Sequence, residues 1–353
     1  MYIGRITNGK KVEISKESPN KSIVISGLSG TGKSERIKDI ERNLLENAAT
    51  IVVIDFDDTH PLMEGECVVN RISAINDGLA FRLLDSSMLK KRKTDLANYV
   101  SCVAELLLTG TKYGDRQLGV LREAIIAAIK NRDQYEGDFE AIREELEKMD
   151  TERAWGVRDK LWNLFSSEIF KKNGKSLVPR KINLVSFGGM SNCVKNVMVE
   201  IFLHFLWMGI RAKGVENCEN YVFVIDEFQN LPLRGDSSVL EMLREGRKYG
   251  VSLILSTQTL VPFSKSNLAN INQAAVRLYF RPACGEVHKI AAQIGSNDVE
   301  RQVSMLKDLR IGEAVSVGDF EVAGKQITRP IITHTDFSEA ETKKMVKLKN
   351  SEV

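Results

Sequence analysis

Apolar positions along the chain fall into two regimes. Short apolar runs at residues 22–26, 50–56, 182–187, 221–225, 251–256 and 275–280 read as strands. The run TIVVIDF at 50–56 is apolar on both faces, as a strand buried inside a parallel sheet should be. Helix-period segments follow several of these runs, at 33–47, 191–213, 237–249 and about 285–294. Residues 86–180 behave differently. They carry long charged segments of helical period at 88–109, 117–131, 139–149 and 151–169, with Pro absent from all four and most of the Gly outside them. At the start, 2–6 and 10–14 flank Asn8-Gly9, a two-residue hairpin turn. Near the end, 313–317 and 326–333 read as a hairpin pair, and 336–349 as a charged helix. Alternating strand and helix predicts an α/β fold built on a mostly parallel sheet. The expected organisation is an N-terminal β-hairpin at 1–20, then one core domain over 21–353 with a helical insertion at about 86–180.

Composition narrows the function only a little. The 353 residues are 43% hydrophobic and 27% charged with a net charge of +3, which neither announces nor excludes a nucleic-acid partner. The five cysteines, Cys67, Cys102, Cys193, Cys218 and Cys284, have no metal-pair spacing and read as reduced structural thiols in a cytoplasm. Four histidines without a tight cluster argue against a zinc site. The N-terminus is polar, with no secretory signal. The most apolar helix, 197–210, carries Glu200 and His204 and reads as a buried helix too short to span a bilayer.

The chemistry is concentrated after the strands. GLSGTGKS, residues 27–34, has the spacing G-x-x-x-x-G-K-[ST] of a phosphate-binding P-loop, between a predicted strand and a predicted helix. Gly27, Gly30 and Gly32 let the backbone of Leu28, Ser29 and Thr31 turn its amides inward, and the helix N-terminus adds positive potential. Lys33 is expected to reach the β- and γ-phosphates of ATP and Ser34 to ligate Mg²⁺. The second strand ends in Asp55, followed by Asp57, Asp58 and His60-Pro61. Carboxylates there lie where parallel sheets bind ligands; Asp55 is a site candidate, whereas Asp57 and Asp58 read equally well as a solvated turn. YVFVIDEFQNL, 221–231, ends its strand in Asp226-Glu227. Asp226 suits Mg²⁺ through its water shell, and Glu227 suits proton acceptance from the attacking water. Downstream, LREGRKYGVSLILSTQTL places Gln258 at a strand end beside the P-loop, where it can sense the γ-phosphate. Arg247 and Arg244, at the end of the preceding helix, are candidates for an arginine finger acting on a neighbouring subunit, or for pairing with the helix dipole.

GLSGTGKS, IVVIDFDD, YVFVIDEFQNL, EGRKYGVSLILSTQ and LRIGEAV, in that order, resemble the HerA–FtsK superfamily of P-loop ATPases, and within it the HerA branch and the ATPases of conjugation and type IV secretion. The resemblance covers 20–56 and 182–333. It implies a RecA-like core, a homohexameric ring with sites shared between neighbours, and movement of DNA, expected to be double-stranded, through a central pore. By motif it matches Lys33 and Ser34 to Walker A, Asp226 and Glu227 to Walker B, Gln258 to the polar sensor, Arg247 to the trans arginine and Asp55 to the acidic residue after the second strand. The sizeable N-terminal barrel usual in HerA proteins has no counterpart in the twenty or so residues before the core.

The leading expectation is therefore a cytoplasmic ATPase motor acting on DNA. Two alternatives stand beside it: an energiser of conjugation or protein secretion, and a nucleotide-dependent ring scaffold for a nuclease or other effector in phage defence. Lys90, Lys91, Arg92 and Lys93 form the densest basic run and are the first candidates for phosphate contact, with Lys171 and Lys172 second. A solvated helix face is the other reading of that run.

Overall fold

The computed structural model describes residues 1–58, 60, 69–84, 93–231, 233, 237–295 and 298–336, the side chains of Lys93, Thr94 and Asn217 excepted. Its strands are β1 (Tyr2–Arg5), β2 (Lys11–Ile14), β3 (Ile23–Ser26), β4 (Thr50–Asp55), β5 (Val69–Ser73), β6 (Ile182–Ser186), β7 (Tyr221–Ile225), β8 (Val251–Thr257), β9 (Val276–Tyr279), β10 (Glu313–Gly318), β11 (Phe320–Val322), β12 (Lys325–Ile327) and β13 (Ile331–His334). Among the described residues they form one 13-stranded sheet in the order β12-β11-β2-β1-β13-β10-β9-β3-β8-β7-β4-β6-β5. From β9 to β5 all pairings are parallel. The rest is an antiparallel wing that joins through β10 to β9 and carries the N-terminal hairpin.

The helices are α1 (Lys33–Glu46), α2 (Lys93–Leu107), α3 (Asp115–Asn131), α4 (Asp138–Lys148), α5 (Glu152–Lys160), α6 (Trp162–Phe165), α7 (Asn192–Lys213), α8 (Ser238–Glu245), α9 (Lys265–Ile271), α10 (Val287–Ile294) and α11 (Val299–Lys307). Successive side chains of a strand face opposite ways, so the buried strand β4 feeds two cores. Ile51 and Val53 pack with Ile37, Ile40 and Leu44 of α1. Val52 and Ile54 pack on the other face, where α7 contributes Met198, Phe202 and Phe205. The helices α2 to α6 all lie between β5 and β6 in sequence and add to that second core.

Several elements depart from the sequence pattern. The expected helix over 151–169 breaks at Leu161 (φ −93°, ψ 4°) and ends at Phe165. Beyond it Phe170 bridges Leu79, and the Ile169 carbonyl accepts from the Leu79 amide at 2.6 Å, so tertiary pairing overrides helical period. The helix expected over 237–249 stops at Glu245, and Gly246–Tyr249 tighten into a 3₁₀ turn. The expected hairpin of 313–317 with 326–333 is interrupted: of that second stretch only β13 pairs with β10, Val315 opposite Ile332, while β11 and β12 make a hairpin of their own between them. The elements β5, α9 and α11 were not expected. The helix 197–210 extends to α7, 22 residues long and apolar enough to cross a bilayer, which corrects the expectation that it is too short; 67% of its apolar window is buried inside the protein. The predicted helix at 336–349 lies outside the described residues after Asp336.

One buried cation fastens the wing to α1. Arg36 is fully buried, and Nε donates to Thr335 Oγ1 (2.9 Å), Nη1 to the Ile3 carbonyl (2.7 Å) and Thr333 Oγ1 (3.0 Å), and Nη2 to the carbonyls of Gly312 (3.1 Å) and Thr333 (3.2 Å). Its guanidinium lies 5.5 Å from the Phe280 ring centre. Burial lowers its pKa to about 10, although Tyr2 and Asp39 favour the charged form. The ion therefore remains charged at neutral pH inside the fold.

Candidate nucleotide site

The loop 27–32 joins the C-terminal end of β3 to α1. Two of its glycines are sterically required. At Gly27 (φ 150°) a Cβ would stand 2.6 Å from Phe280 Cβ, and at Gly32 (φ 102°) one would stand 2.8 Å from the Gly312 amide nitrogen. Gly32 is also the N-cap of α1 and supplies no side-chain cap, so the first amides of the helix face the loop without one. Lys33 is buried and donates from Nζ to the carbonyls of Gly27 (2.8 Å) and Leu28 (3.0 Å). Burial lowers its pKa, while Asp226 and Glu227 act in the opposite direction.

Those two carboxylates follow β7, which is separated from β3 by β8 alone. Glu227 adopts a left-handed backbone (φ 55°, ψ 38°), a costly conformation for a side chain with a Cβ, and strain of this kind clusters at functional sites. Its amide donates to Asp226 Oδ1 (3.0 Å). Its carboxylate is held on both oxygens: Gln258 Nε2 donates to Oε1 at 2.6 Å and Gln229 Nε2 donates to Oε2. Gln258 reaches it because Thr257 stands in register with Ser26, so the end of β8 opens beside the P-loop.

The third wall comes from the end of β4. Asp55 accepts the amides of Asp57 (3.3 Å) and His60 (3.2 Å). The His60 ring lies 3.2 Å from Glu41 on α1, both side chains being buried. Burial disfavours the imidazolium, but Glu41, Asp55 and Asp226 outweigh it and raise the pKa above 6.5. Asp57 pairs with Lys195 of α7 at 2.5 Å, and Ser186 Oγ donates to Asp58 Oδ1. Both aspartates are thus engaged in specific contacts.

The three walls enclose a cleft of about 630 Å³ at the C-terminal edge of the parallel strands. It brings together Ser29, Gly30, Gly32, Lys33, Ser34, Asp55, Asp226, Glu227 and Gln258. Gly27, Leu28 and Thr31 complete the loop behind it, where Thr31 Oγ1 donates to the Leu28 carbonyl at 2.7 Å. Arg244 and Arg247 are exposed and stand outside the cleft. They precede β8, whereas Gln258 follows it, so at about 3.3 Å per residue they lie roughly 20 Å away along the strand. The basic run is not brought into view: Lys90, Lys91 and Arg92 and the side chain of Lys93 lie outside the described residues. Lys171 and Lys172 are partly or fully exposed, away from the cleft. Glu41, His60, Lys195, Gln229 and Asn230 belong to the site or its rim without having been assigned to it by sequence. Gln229 carried a usable signal, because a side chain two residues after Glu227 sits on the same turn.

Residues 1–206 match the family described as the central domain of the helicase HerA. The chain belongs to this family. The resemblance to HerA–FtsK ATPases read from the motif order is therefore shown, and the fold agrees with it. The chain superposes on VirB4 of Thermoanaerobacter pseudethanolicus with a TM-score of 0.74 at 16% identity, covering 97% of each chain. It superposes on the plasmid coupling protein TrwB in complex with ADP and Mg²⁺ with a TM-score of 0.64 at 13% identity, covering 93% of this chain and 90% of that one. No curated protein matches the sequence. The mixed α/β architecture is thus the RecA-like P-loop ATPase fold, and the cleft lies within it at the end of the sheet where such folds bind nucleotide.

The donor set suits a magnesium nucleotide. One hydroxyl, Ser34, and one carboxylate, Asp226, on the same cleft fit an ion that keeps most of its waters and takes further oxygens from phosphates. Among the described residues no cluster of three or more His, Cys, Asp or Glu side chains offers an all-protein metal cage. Bound there, the ion would neutralise phosphate charge.

Proposed function

We propose that this HerA-family protein hydrolyses ATP in the cleft between the P-loop and the end of β7 and couples hydrolysis to moving DNA, as a homohexameric cytoplasmic ring. The observation that carries the reading is the convergence of Lys33, Ser34, Asp226, Glu227 and Gln258 on one cleft from three strands. In this reading the loop amides and Lys33 hold the β- and γ-phosphates, Lys33 exchanging its two carbonyl acceptors for phosphate oxygens. Ser34 and Asp226 hold Mg²⁺. Glu227 takes the proton of the attacking water, and Gln258 and Gln229 orient its carboxylate. The placement of Arg247 far from its own cleft supports a role at a neighbour's γ-phosphate, which makes the ring head-to-tail. Arg244 is the alternative on the same surface. Asp55 positions the amides of Asp57 and His60 at the rim.

The likeness in fold to VirB4 and to the coupling protein TrwB over nearly the whole chain favours one second reading, an energiser of a conjugation or secretion system. One experiment separates the two. ATPase rate is measured with and without double-stranded DNA over a range of salt. Stimulation that fades as salt rises is expected of phosphate-tracking contacts. An ATPase indifferent to DNA at low salt sinks the DNA-motor reading and favours the second one.

A further inference from the structure

Away from the nucleotide cleft, a relay of side chains ends in a thiol. Glu200 and His204 lie one turn apart on α7, Ser238 opens α8, and Cys102 is on α2. Glu200 Oε1 accepts from the Ser238 amide (2.9 Å) and from Ser238 Oγ (3.0 Å), with both residues buried. Because Ser238 gives its hydroxyl proton to Glu200, its oxygen faces His204 Nδ1, 3.4 Å away, as an acceptor. That assigns the ring proton to Nδ1 and leaves the lone pair of Nε2 toward Cys102 Sγ, at 3.0 Å. A nucleophile, a base and the group that orients the base thus stand in sequence, the arrangement by which a weak nucleophile is activated. The thiol and imidazole line a pocket of about 320 Å³, whose polar walls include Asn98, Ser101, Thr109 and Tyr113. Cys102 and His204 are both partly exposed, so a small reagent can reach the sulfur.

We propose that Cys102 is an activated thiol and that this pocket is a modification site for small polar electrophiles, with hydroperoxides as the natural class. The thiol proton passes to His204 Nε2, and the thiolate attacks one peroxide oxygen. The S–O bond forms as the O–O bond breaks. The leaving oxygen takes the proton from the imidazolium and departs as water or an alcohol. Sulfur is oxidised by two electrons to the sulfenic acid, and the peroxide is reduced by the same two. Residue spacing carries no trace of this relay, because positions 102, 204 and 238 meet only through three separate helices.

The protein supplies its own controls. Among the described residues Cys193, Cys218 and Cys284 are exposed, whereas Cys102 is only partly so. If access alone governed reactivity, Cys102 would label slowest of these four. The full chain is treated with limiting iodoacetamide, and separately with hydrogen peroxide followed by a sulfenic-acid trap, and each cysteine is followed by peptide mass spectrometry. We expect Cys102 to react at least about tenfold faster than the other three in both arms, as thiols paired with an oriented base do. His204→Gln should drop it below them, and Ser238→Ala should give an intermediate loss. A wild-type protein in which Cys102 reacts no faster than the exposed cysteines overturns the proposal. So does a folded His204→Gln variant that keeps the fast rate.

Discussion

Replacing Arg36 with methionine tests the wing's attachment to α1 quantitatively. Methionine keeps an unbranched apolar stem beside Phe280 and removes all the donors. The five acceptors do not suffer equally. Thr333 Oγ1 retains Ser316 Oγ at 2.7 Å, and Thr335 Oγ1 retains the Gly312 carbonyl at 3.1 Å. The Gly312 carbonyl also keeps the Thr335 amide at 2.9 Å. The Thr333 carbonyl keeps the Ala314 amide across the β10–β13 ladder, whereas the Ile3 carbonyl loses the guanidinium where the β1–β2 register shifts and the strand ladder is irregular. Leaving a buried acceptor unmet costs about 1–3 kcal/mol. The one such loss, at Ile3, is partly offset because a desolvated charge disappears, and the weakened tie to Thr333 and Thr335 adds to it. The net expectation is about 1–3 kcal/mol of lost stability, a fall of up to about 1 M in urea midpoint at a slope of a few kcal/mol per molar. Arg42→Met is the control: that side chain is 46% exposed and its contact with Asp39 is 4.0 Å, so it should change stability by no more than about 0.5 kcal/mol. Urea unfolding followed by circular dichroism reads both. Equal midpoints for the two variants, or an Arg36→Met midpoint at the wild-type value, would refute the reasoning.

Three further outcomes follow from the cleft. Lys33→Ala should abolish tight ATP binding, whereas Glu227→Gln should bind ATP and lose at least about a hundredfold in turnover; normal phosphate release by Glu227→Gln removes that residue from the chemistry. Arg247→Ala should keep nucleotide binding and assembly but lose most hydrolysis, and mixing it with Glu227→Gln should recover activity at the sites where both functional residues meet; a fully active monomer by light scattering excludes a shared site. The raised His60 pKa means that folding stabilises the imidazolium, so its contribution is complete below the unfolded value of 6.5 and is lost as pH rises through the folded pKa. The stability gap between wild type and His60→Asn in urea should therefore shrink from pH 6 to pH 8.5, and a gap independent of pH dismisses the His60–Glu41 ion pair.

Much of the site could be read directly because its strands are buried on both faces. The runs β3, β4 and β8 are buried at every position, which leaves no polar alternation to obscure them, and each ends in the residues that face the cleft. The strand β5 escaped notice because it is the sheet edge: only Ile72 of Val69–Ser73 is buried, so its sequence VNRIS has no apolar signature. α9 and α11 have seven and nine residues, too short for a helical period to declare itself. The contacts of Glu41 with His60 and of Lys195 with Asp57 join residues 19 and 138 positions apart, and residue spacing carries no trace of such pairs. Nothing in the sequence around Arg36 marks it, because its burial is created by strands distant from it along the chain.

That last arrangement sets an order of events during synthesis. Arg5 stands opposite His334 in the β1–β13 pairing, and the Arg36 donors wait for residues 312, 333 and 335. A ribosome delivers the first strand more than three hundred residues before its neighbour in the sheet. Until then the hairpin of β1 and β2 has an open edge and Arg36 can remain in water. At typical elongation speeds the delay is on the order of tens of seconds. The parallel centre can assemble in that interval, but the antiparallel wing can close only once β13 has been made. Its closure is then a late check that synthesis has passed β13, since a product truncated before residue 331 leaves Arg36 on α1 without the Thr333 and Thr335 acceptors that help permit its burial.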